Sequence, residues 1–343
     1  MVSQDMPRVC ICIPTYNVDA TIAATLRSIL AQTYTNLAIL VVDNQSTDGT
    51  LGVVQSFDDA RITVHRNPVN LGGEGNFNRC IELAKGKYTA IYHADDIYQP
   101  EMVAAQVEFL ESHPQARAVF TEAALIDQSD NFIGEIRQPA SLAASGPLHY
   151  FPEVLKAVLE HSNFFICPSV MALTSVYHDD IKVWRGDLFG SSADLDVWFR
   201  MLQKGPVGIL PRKTMCYRIS QRQWSAKVRI DTNRSAFFNV IDFYLAKDEV
   251  QKLLMDADLL NYERLERRDR VMRAANAMVA KQPDLARKLC PDIFTLKALR
   301  AALQTRRGLA VFLLALYIKL MLLLRLNGLA GASLLQIKKM AQK

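Results

Sequence analysis

The first half of the chain alternates short apolar runs with segments in which apolar residues recur every three or four positions. Runs of the first kind are typical of buried strands, and the second pattern is that of an amphipathic helix. The predicted strands are residues 9–13, 37–42, 62–65, 87–92 and 118–126, and the predicted helices are residues 19–32, 50–57, 75–85 and 100–113. This order is typical of a mostly parallel sheet covered by helices, so we predict an α/β fold.

The pattern changes in the second half of the chain. A loop is predicted over residues 139–147, a helix over residues 194–204, and short strands over residues 207–210 and 214–219. After these strands, residues 227–307 carry only helical patterns.

The charge is concentrated at the end of the chain. Residues 301–343 contain seven basic residues and no acidic one, whereas the rest of the chain contains 33 basic and 35 acidic residues. A basic and apolar segment is typical of proteins that contact an anionic surface, so we expect an anionic membrane as partner and no nucleic acid. The predicted division is therefore an α/β domain at 1–225, a helical extension at 226–305 and a membrane-associating tail at 306–343, and the polar residues described below make the first of these the candidate catalytic domain.

The apolar side chains of residues 309–326 favour membrane insertion by roughly 4–7 kcal/mol, and Lys319 among them opposes it by about 2.5–3.5 kcal/mol. This balance favours a helix that lies in the membrane interface. Two alternatives stay open, namely a single membrane-spanning helix and a core helix of the helical region.

Six cysteines are scattered along the chain without a C-x-x-C pair. Cys10 and Cys12 alternate within an apolar run, so we expect core thiols on one side of a strand, in preference to a zinc site or a disulfide. No signal peptide is recognisable at the start of the sequence. The expected location is therefore cytoplasmic, with peripheral attachment to the inner face of the membrane.

Polar residues follow three of the predicted strands at the point where each strand ends. Because the carboxyl ends of parallel strands meet at one edge of a sheet, where ligands bind, these residues are expected to converge. The three groups are Pro14, Thr15, Tyr16 and Asn17, then residues 43–49, and then His93, Asp95 and Asp96.

Asp95 and Asp96 are candidate metal ligands. Adjacent carboxylates form a hard, oxygen-rich site that suits Mg²⁺ or Mn²⁺, and such a cation neutralises a departing diphosphate. The alternative is a solvated turn in which Asp96 caps the next helix. Their position after an apolar strand, on the same edge as Asp43, favours the metal site.

Asp43 ends the second predicted strand, and two interpretations are open for it. Its carboxylate can accept a hydrogen bond from the imide N–H of uracil or thymine, a donor that cytosine lacks. The alternative is a turn-forming aspartate, which is common before a Ser-Thr-Asp-Gly sequence. The first interpretation favours a UDP- or dTDP-sugar donor.

These motifs together resemble the opening of the family 2 glycosyltransferases, which have the GT-A fold. The segments that carry the resemblance are, in chain order, residues 11–17, residues 41–50, Asn70-Leu71-Gly72, Asn78, residues 84–88 and residues 94–97, the last resembling the Asp-x-Asp metal motif. The resemblance covers roughly the first 220 residues. It implies a GT-A-like nucleotide-binding sheet with a helical C-terminal extension, and nucleotide contacts from Pro14, Thr15, Tyr16, Asn17, Asp43, Asn78 and Asp95.

The resemblance also implies an inverting transfer in which a carboxylate deprotonates the acceptor hydroxyl. In this family the base lies in a Glu-Asp pair that opens a helix, followed by aspartate, tryptophan and arginine. The matching stretch is residues 193–200, where Trp198 and Arg200 fix the register and so place Asp194, not Asp196, at the base position. We expect the helix start to lower the pKa of Asp194 and keep it ionised. The alternative is simple N-capping.

Two positions depart from the family pattern. His93 stands where many relatives have aspartate, and it either contacts the nucleotide or packs, which leaves more of the metal binding to the two aspartates. Ala193 stands in place of the glutamate before the base, so acceptor contacts from that position are absent. A later stretch resembles the segment that closes over the diphosphate, which makes Arg218 or Arg222 a candidate phosphate contact, although solvation accounts equally well for Arg222.

The sequence therefore predicts a metal-dependent, inverting glycosyltransferase that moves a hexose-type sugar from a UDP-, dTDP- or GDP-linked donor. The expected acceptor is a hydroxyl of a lipid-linked or cell-surface glycan. One alternative is a sugar-1-phosphate nucleotidyltransferase, although residues 14–17 lack its Gly-rich, basic loop. The other is a catalytically degenerate GT-A binding protein, which His93 and Ala193 keep open. No pattern in the chain names the sugar, the acceptor, the linkage or the oligomeric state.

Overall fold

The computed structural model describes residues 8–219, 231–290, 295 and 305–340, and residues 338–340 are described as backbone only. It divides the chain into two compact units, Met1–Ser220 and Gln221–Lys343. The predicted boundary between residues 225 and 226 lies outside the described residues, and the division into three segments stays a prediction.

The first unit is built on a ten-stranded mixed sheet. Its strands are β1 Val9–Thr15, β2 Leu37–Asp43, β3 Ile62–Arg66, β4 Tyr88–Ile91, β5 Ile97–Tyr98, β6 Ala118–Ile126, β7 Phe132–Ile136, β8 Leu148–His149, β9 Met171–Leu173 and β10 Val207–Arg218. The order β3-β2-β1-β4 is parallel, and β6 pairs in parallel with β10. The strand β9 joins these two halves by antiparallel pairing with both β4 and β6. Parallel pairing is therefore confined to β3-β2-β1-β4 and to the pair β6-β10, and β5, β7 and β8 pair antiparallel with β10 or β6.

Helices cover the sheet of the first unit. They are α1 Ile22–Leu30, α2 Thr50–Gln55, α3 Gly72–Leu83, α4 Met102–Ser112, α5 Ala140–Ala143, α6 Phe151–His161, α7 Gly186–Phe189 and α8 Ala193–Leu202. Ile22, Leu26 and Ile29 of α1 are fully buried at helical spacing. They share one apolar core with Val9, Ile11 and Ile13 of β1. Because helices cover both faces of the sheet, the central strands are almost continuously apolar.

Several local predictions need correction. The two strands predicted at residues 207–210 and 214–219 are one strand, β10, because bulges between Leu210 and Met215 absorb the interruption without ending the pairing with β6. The predicted loop at residues 139–147 contains the short helix α5. The sulfur atoms of Cys10 and Cys12 lie 3.7 Å apart in the core, and all six cysteines are free thiols, as expected.

All the regular elements that the structure describes in the second unit are helices. Its helices are α9 Ala236–Leu245, α10 Asp248–Gln251, α11 Asp256–Val279, α12 Pro283–Leu289, α13 Arg306–Leu323 and α14 Asn327–Met340. Ala315 and Ile318 of α13 and Ala330 of α14 are fully buried in one apolar cluster with residues of α11. In the part of the chain that the structure describes, no helix has both the length and the apolar character needed to cross a membrane.

Candidate active site

The loops that follow β1 and β2 are joined by hydrogen bonds at one edge of the sheet. The Asn44 amide donates to the Thr15 carbonyl at 2.9 Å, and the Asn17 amide donates to Ser46 Oγ at 3.1 Å. In return, the Thr47 amide donates to Asn17 Oδ1 at 2.8 Å. Asn17 has a φ of 54°, a left-handed conformation that asparagine tolerates better than most residues. These hydrogen bonds thus join the two predicted nucleotide-binding loops at one edge of the sheet.

Asp43 and Tyr16 both lie at this edge of the sheet, but they differ in burial and in their contacts. The Asp43 carboxylate is fully buried, accepts the Ser46 amide at 3.2 Å and lies 3.4 Å from Arg66 Nε. These contacts are those of the turn-forming alternative, and the contact of Asp43 with a nucleotide base stays a prediction. The Tyr16 ring, by contrast, is 48% exposed, so it presents a free aromatic surface at the same edge.

A chain of buried side-chain amides holds the next loop against the end of β2. Asn67 Nδ2 donates to Asn44 Oδ1 at 3.1 Å and to Asn76 Oδ1 at 2.9 Å, and Asn44 Nδ2 donates to Asn70 Oδ1 at 2.9 Å. Buried amides need such partners, because an unpaired polar group is costly away from water. The segment at residues 70–72, one of those that carry the family resemblance, is therefore held in place by asparagine side chains.

The helix α3 anchors a second loop from the far part of the unit. Asn78 Oδ1 accepts the main-chain N–H of Trp184 at 2.8 Å, and Glu74 Oε1 accepts that of Gly186 at 2.7 Å. The structure thus places Asn78 beneath the loop at residues 184–186, and its predicted contact with the nucleotide stays a prediction.

The loop between β4 and β5 brings together His93, Asp95 and Asp96, whose candidate ligand atoms all lie within 4.8 Å of one another. Asp96 is fully buried, and its Oδ1 accepts the Arg218 amide at 2.8 Å, so it does not cap the helix that follows. Burial, and then the charge of Asp95, raises the pKa of Asp96, whereas burial lowers the pKa of His93. A neutral imidazole beside two carboxylates is a donor set that fits a divalent cation.

Arg218 lies beneath this loop. Its guanidinium is buried and donates to the Asp95 carbonyl at 2.7 Å and to the Asp127 carbonyl at 3.0 Å, and it pairs with Asp130 at 2.5 Å. Arg218 thus ties the end of β10 to the acidic loop. Its predicted contact with a diphosphate stays a prediction, and Arg222 lies outside the described residues.

Asp194 lies in the first turn of α8. Its Oδ1 accepts the Leu195 amide at 2.8 Å, and the Asn163 side chain also hydrogen-bonds to it. Burial nevertheless raises the pKa of Asp194 to about 6, which corrects the expectation that the helix start lowers it. Desolvation outweighs the favourable N–H groups here. At pH 7 a group with this pKa is about nine-tenths ionised, which suits a general base.

Asp196 is held differently, although it lies only two residues further along α8. Its carboxylate is fully buried between two guanidinium groups, accepting Arg185 Nε at 2.9 Å and Arg200 Nε at 2.9 Å. Arg200 also donates to two main-chain carbonyls in the segment before α7. Asp196 therefore fastens α8 to that segment, and both of its oxygens are engaged in doing so.

The charges of the acidic loop and of Asp194 act on the same two side chains. Burial, and then the charges of Asp194 and Asp96, raise the pKa of Cys167. Burial also raises the pKa of Tyr217, to which Asp96, Asp95 and Asp194 all contribute. Both side chains therefore lie within electrostatic range of Asp96 and of Asp194.

The sequence analysis did not single out Asn163, Cys167 or Arg185. Asn163 and Cys167 lie in an irregular segment between α6 and β9, and nothing in the residue pattern there signals a site. Arg185 lies eleven positions before Asp196, in a region without a regular pattern. Only the fold brings these three side chains to the carboxylates.

The fold is that of the GT-A class of α/β proteins, and solved structures support this. The chain resembles the S. aureus TarS 1-349 structure in complex with UDP-GlcNAc with a TM-score of 0.56 and 15% identity, over 87% of this chain and 91% of that one. It resembles the mannosyltransferase PcManGT of Pyrobaculum calidifontis, in complex with GDP-Man and Mn²⁺, with a TM-score of 0.52 and 17% identity, over 98% and 88% of the two chains. These likenesses confirm the predicted fold class.

Residues 10–179 match the model of glycosyl transferase family 2, and the chain belongs to this family. Among curated relatives, it is 28% identical to the UDP-Glc:alpha-D-GlcNAc-diphosphoundecaprenol beta-1,3-glucosyltransferase WfaP of Escherichia coli, over 58% of this chain and 72% of WfaP. It is 25% identical to an uncharacterized glycosyltransferase of Haemophilus influenzae, over 79% and 85% of the two chains. The family resemblance is confirmed, and the nucleotidyltransferase alternative loses its support.

Proposed function

We propose that this protein transfers a sugar from a UDP-sugar to a hydroxyl group with inversion, using a divalent cation at the acidic loop and Asp194 as the base. The observation that carries the proposal is the cluster of candidate ligand atoms on the acidic loop, which all lie within 4.8 Å of one another. The charge of Asp194 on α8 acts on the same two side chains, Cys167 and Tyr217, as the charge of this loop. A displacement reaction needs groups on both sides of the sugar, one for the leaving diphosphate and one for the attacking hydroxyl.

On the donor side, Asp95 and Asp96 would hold Mg²⁺ or Mn²⁺. When bound, the cation supplies positive charge that stabilises the leaving diphosphate. Arg218 positions the loop through the Asp95 carbonyl and the Asp96 carboxylate. The exposed Tyr16 ring offers a stacking surface for the base. The UDP-sugars printed in the names of WfaP and the TarS complex support UDP as the nucleotide.

On the acceptor side, Asp194 would remove the proton from the attacking hydroxyl. A pKa of about 6 leaves this carboxylate largely ionised at neutral pH while making it a stronger base than an ordinary aspartate. The hydrogen bonds from Leu195 and Asn163 orient it. Asp196 cannot serve as readily, because two arginines cover its oxygens.

For the acceptor we propose a sugar carried on a lipid diphosphate. The acceptor in the printed name of WfaP, a sugar on diphosphoundecaprenol, supports this class. Such an acceptor resides in a membrane, so the enzyme has to work at a membrane surface.

The second unit carries a surface suited to that task. We call it the leucine face, and its exposed apolar residues are Leu309, Leu313, Leu316, Leu320, Leu323, Leu324, Leu326, Leu329, Leu335 and Ile337. An open cavity of about 470 Å³ lies on it, rimmed by Arg287, Lys319 and Arg325. Exposed apolar patches rimmed by cations are typical of interfacial membrane binding. We therefore propose peripheral attachment to an anionic membrane, at its cytoplasmic face.

The test is a transfer assay with a panel of UDP-, dTDP- and GDP-hexoses and a sugar-diphospholipid acceptor that has a shortened lipid. We expect nucleotide release coupled to a longer lipid-linked glycan with UDP-sugars, abolished by EDTA and restored by Mn²⁺. Undiminished turnover in EDTA would overturn the metal role. A protein that binds UDP-sugars but turns over none of them would support the degenerate binding alternative.

A further inference from the structure

His93 occupies an unusual place in the acidic loop, because its ring packs against an aromatic side chain while one of its nitrogens, Nε2, lacks a hydrogen-bond partner among the described residues. Phe77 packs edge-on against the ring with the centroids 5.8 Å apart, and the Tyr98 hydroxyl donates to the His93 carbonyl at 3.2 Å. Within the described part of the chain, the buried His93 Nε2 has no hydrogen-bond partner. A buried nitrogen without a partner is costly, so something absent from the chain itself is expected to satisfy it.

Asp96 presents the same problem on the other side of a small gap. Its Oδ1 is satisfied by the Arg218 amide, whereas the fully buried Oδ2 finds no hydrogen-bond partner among the residues that the structure describes. That oxygen lies 3.8 Å from His93 Nδ1, too far for a hydrogen bond. The unpartnered Oδ2 thus lies near the imidazole, whose Nε2 is also without a partner among the described residues. Asp95 offers a third ligand atom, and the three candidate ligand atoms all lie within 4.8 Å of one another.

We propose that His93 is itself a ligand of the catalytic cation, which makes the donor set one imidazole nitrogen and two carboxylates. Neighbouring ligands of an octahedral cation lie about 3.0 Å apart when each is about 2.1 Å from the ion. The separations of up to 4.8 Å would therefore have to shorten for the three atoms to hold one ion. The inference rests on the proposed function only in assuming that a divalent cation binds this loop.

The consequence is a preference among cations. Carboxylate oxygens suit Mg²⁺ and Mn²⁺ alike, whereas imidazole suits transition metals and is a poor ligand for the hard Mg²⁺ ion. Replacing an oxygen ligand by His93 should therefore make the site selective for Mn²⁺ over Mg²⁺. A histidine that only packed against Phe77, or only touched the nucleotide, would leave this selectivity unaffected.

The test measures metal binding directly, on the full chain with UDP and without acceptor. Pulsed electron paramagnetic resonance of bound Mn²⁺ detects a coordinated nitrogen, and labelling histidine with nitrogen-15 separates it from nitrogens of the nucleotide. Titration calorimetry then compares Mn²⁺ and Mg²⁺ affinities for the wild type, His93→Asp, His93→Ala and a control, His161→Ala. His161 is 40% exposed at the end of α6 and is not a member of the acidic-loop cluster.

We expect a nitrogen coupling that responds to the label, persists in His161→Ala and vanishes in His93→Asp. His93→Ala should bind Mn²⁺ at least about tenfold more weakly, and His93→Asp should reduce the preference for Mn²⁺ over Mg²⁺ by about tenfold. Thermal melting of each variant without metal checks that the fold is retained.

Two results would overturn the inference, and they are distinguishable. Tight Mn²⁺ binding without a histidine coupling would remove His93 from the ligand set and leave the proposed metal-dependent function intact. A wild-type protein that binds neither cation would overturn both the inference and the metal part of the proposed function.

Discussion

Asp194 and Asp196 lie two residues apart on α8, yet their surroundings give them different chemistry. Asp194 is half-buried, with one main-chain and one side-chain hydrogen bond, while Asp196 is fully buried between two arginines. The sequence register also separates them, as base and non-base candidates, and this assignment stays a prediction. It did not predict the raised pKa, because desolvation depends on the tertiary surroundings and not on the position in a helix.

Replacing Asp194 by asparagine tests the base assignment. Asparagine keeps the shape and the hydrogen bond from Leu195 but cannot take a proton, so we expect transfer to fall at least about a hundredfold while the affinity for donor is unchanged. Initial transfer rates and donor titrations measure the two effects. Asp187→Asn, which alters an exposed carboxylate of α7, is the matched control and should retain full activity. Near-full activity in Asp194→Asn would contradict the assignment.

The pH dependence of kcat/KM tests the same residue independently. Because the pKa of Asp194 is raised to about 6, the base is protonated and inactive below that pH. We expect kcat/KM to rise about tenfold per pH unit up to about pH 6 and then to level off. The residual activity of Asp194→Asn should not show this rise of kcat/KM below pH 6. A wild-type profile that stays flat down to pH 4.5 would be inconsistent with the structure.

Among the elements, α8 and β10 show what the residue pattern can and cannot predict. The helix predicted at residues 194–204 is α8, because its apolar spacing is strong. The interruption of β10 at Pro211 looks like the end of a strand in sequence, whereas the pairing with β6 continues through the bulges. The strand β7 escaped prediction because its side chains are mostly exposed, which removes the apolar signal. The antiparallel β9 escaped because only three residues form it.

The ion pairs that Asp196 makes from α8 are expected to contribute measurably to the free energy of unfolding. Asp196→Asn removes the charge that pairs with Arg185 and Arg200, and breaking a buried ion pair by changing one partner costs about 3 kcal/mol. We therefore expect a lowered free energy of unfolding in urea. The control is Asp59→Asn, which alters a partly exposed pair with Arg61 and should cost about 1 kcal/mol or less. An equal loss of unfolding free energy in the two variants would show that the ion pairs of Asp196 do not stabilise the fold more than an exposed pair does.

At the scale of the whole molecule, the two units differ in how far the sequence predicts them. The motifs of the first unit are short and ordered, so they revealed the family, the fold class and the edge of the sheet that carries the site. The second unit has only helical and charge patterns. These predicted helices and a basic apolar end, but they could not predict that Ala315, Ile318 and Ala330 are buried against α11 while the leucine face stays exposed.

This packing changes how the membrane proposal is tested. Deleting α13 and α14 would uncover the apolar cluster, so substitutions on the leucine face are cleaner. Changing Leu313, Leu320 and Leu324 together to glutamine should weaken binding to anionic vesicles at least about tenfold, with an unchanged melting temperature. Flotation of the protein with vesicles measures the binding.

The matched control for that triple variant lies on the same unit. Leu253, Met255 and Leu259 are also exposed apolar residues, but they are outside the leucine face. Their change to glutamine should leave vesicle binding intact. Equal binding by the wild type and both triple variants would remove the leucine face as the docking surface.

The central claim is metal-dependent transfer with inversion, and the anomeric configuration of the first product tests it most directly. Proton NMR can follow the enzyme with a UDP-α-sugar, Mn²⁺ and the lipid-linked acceptor, and it distinguishes the two anomers of the newly formed linkage. We predict that the transferred sugar appears as the β-anomer, and that no product forms in EDTA or with Asp194→Asn. An α-linked product would contradict direct displacement by a hydroxyl that Asp194 activates.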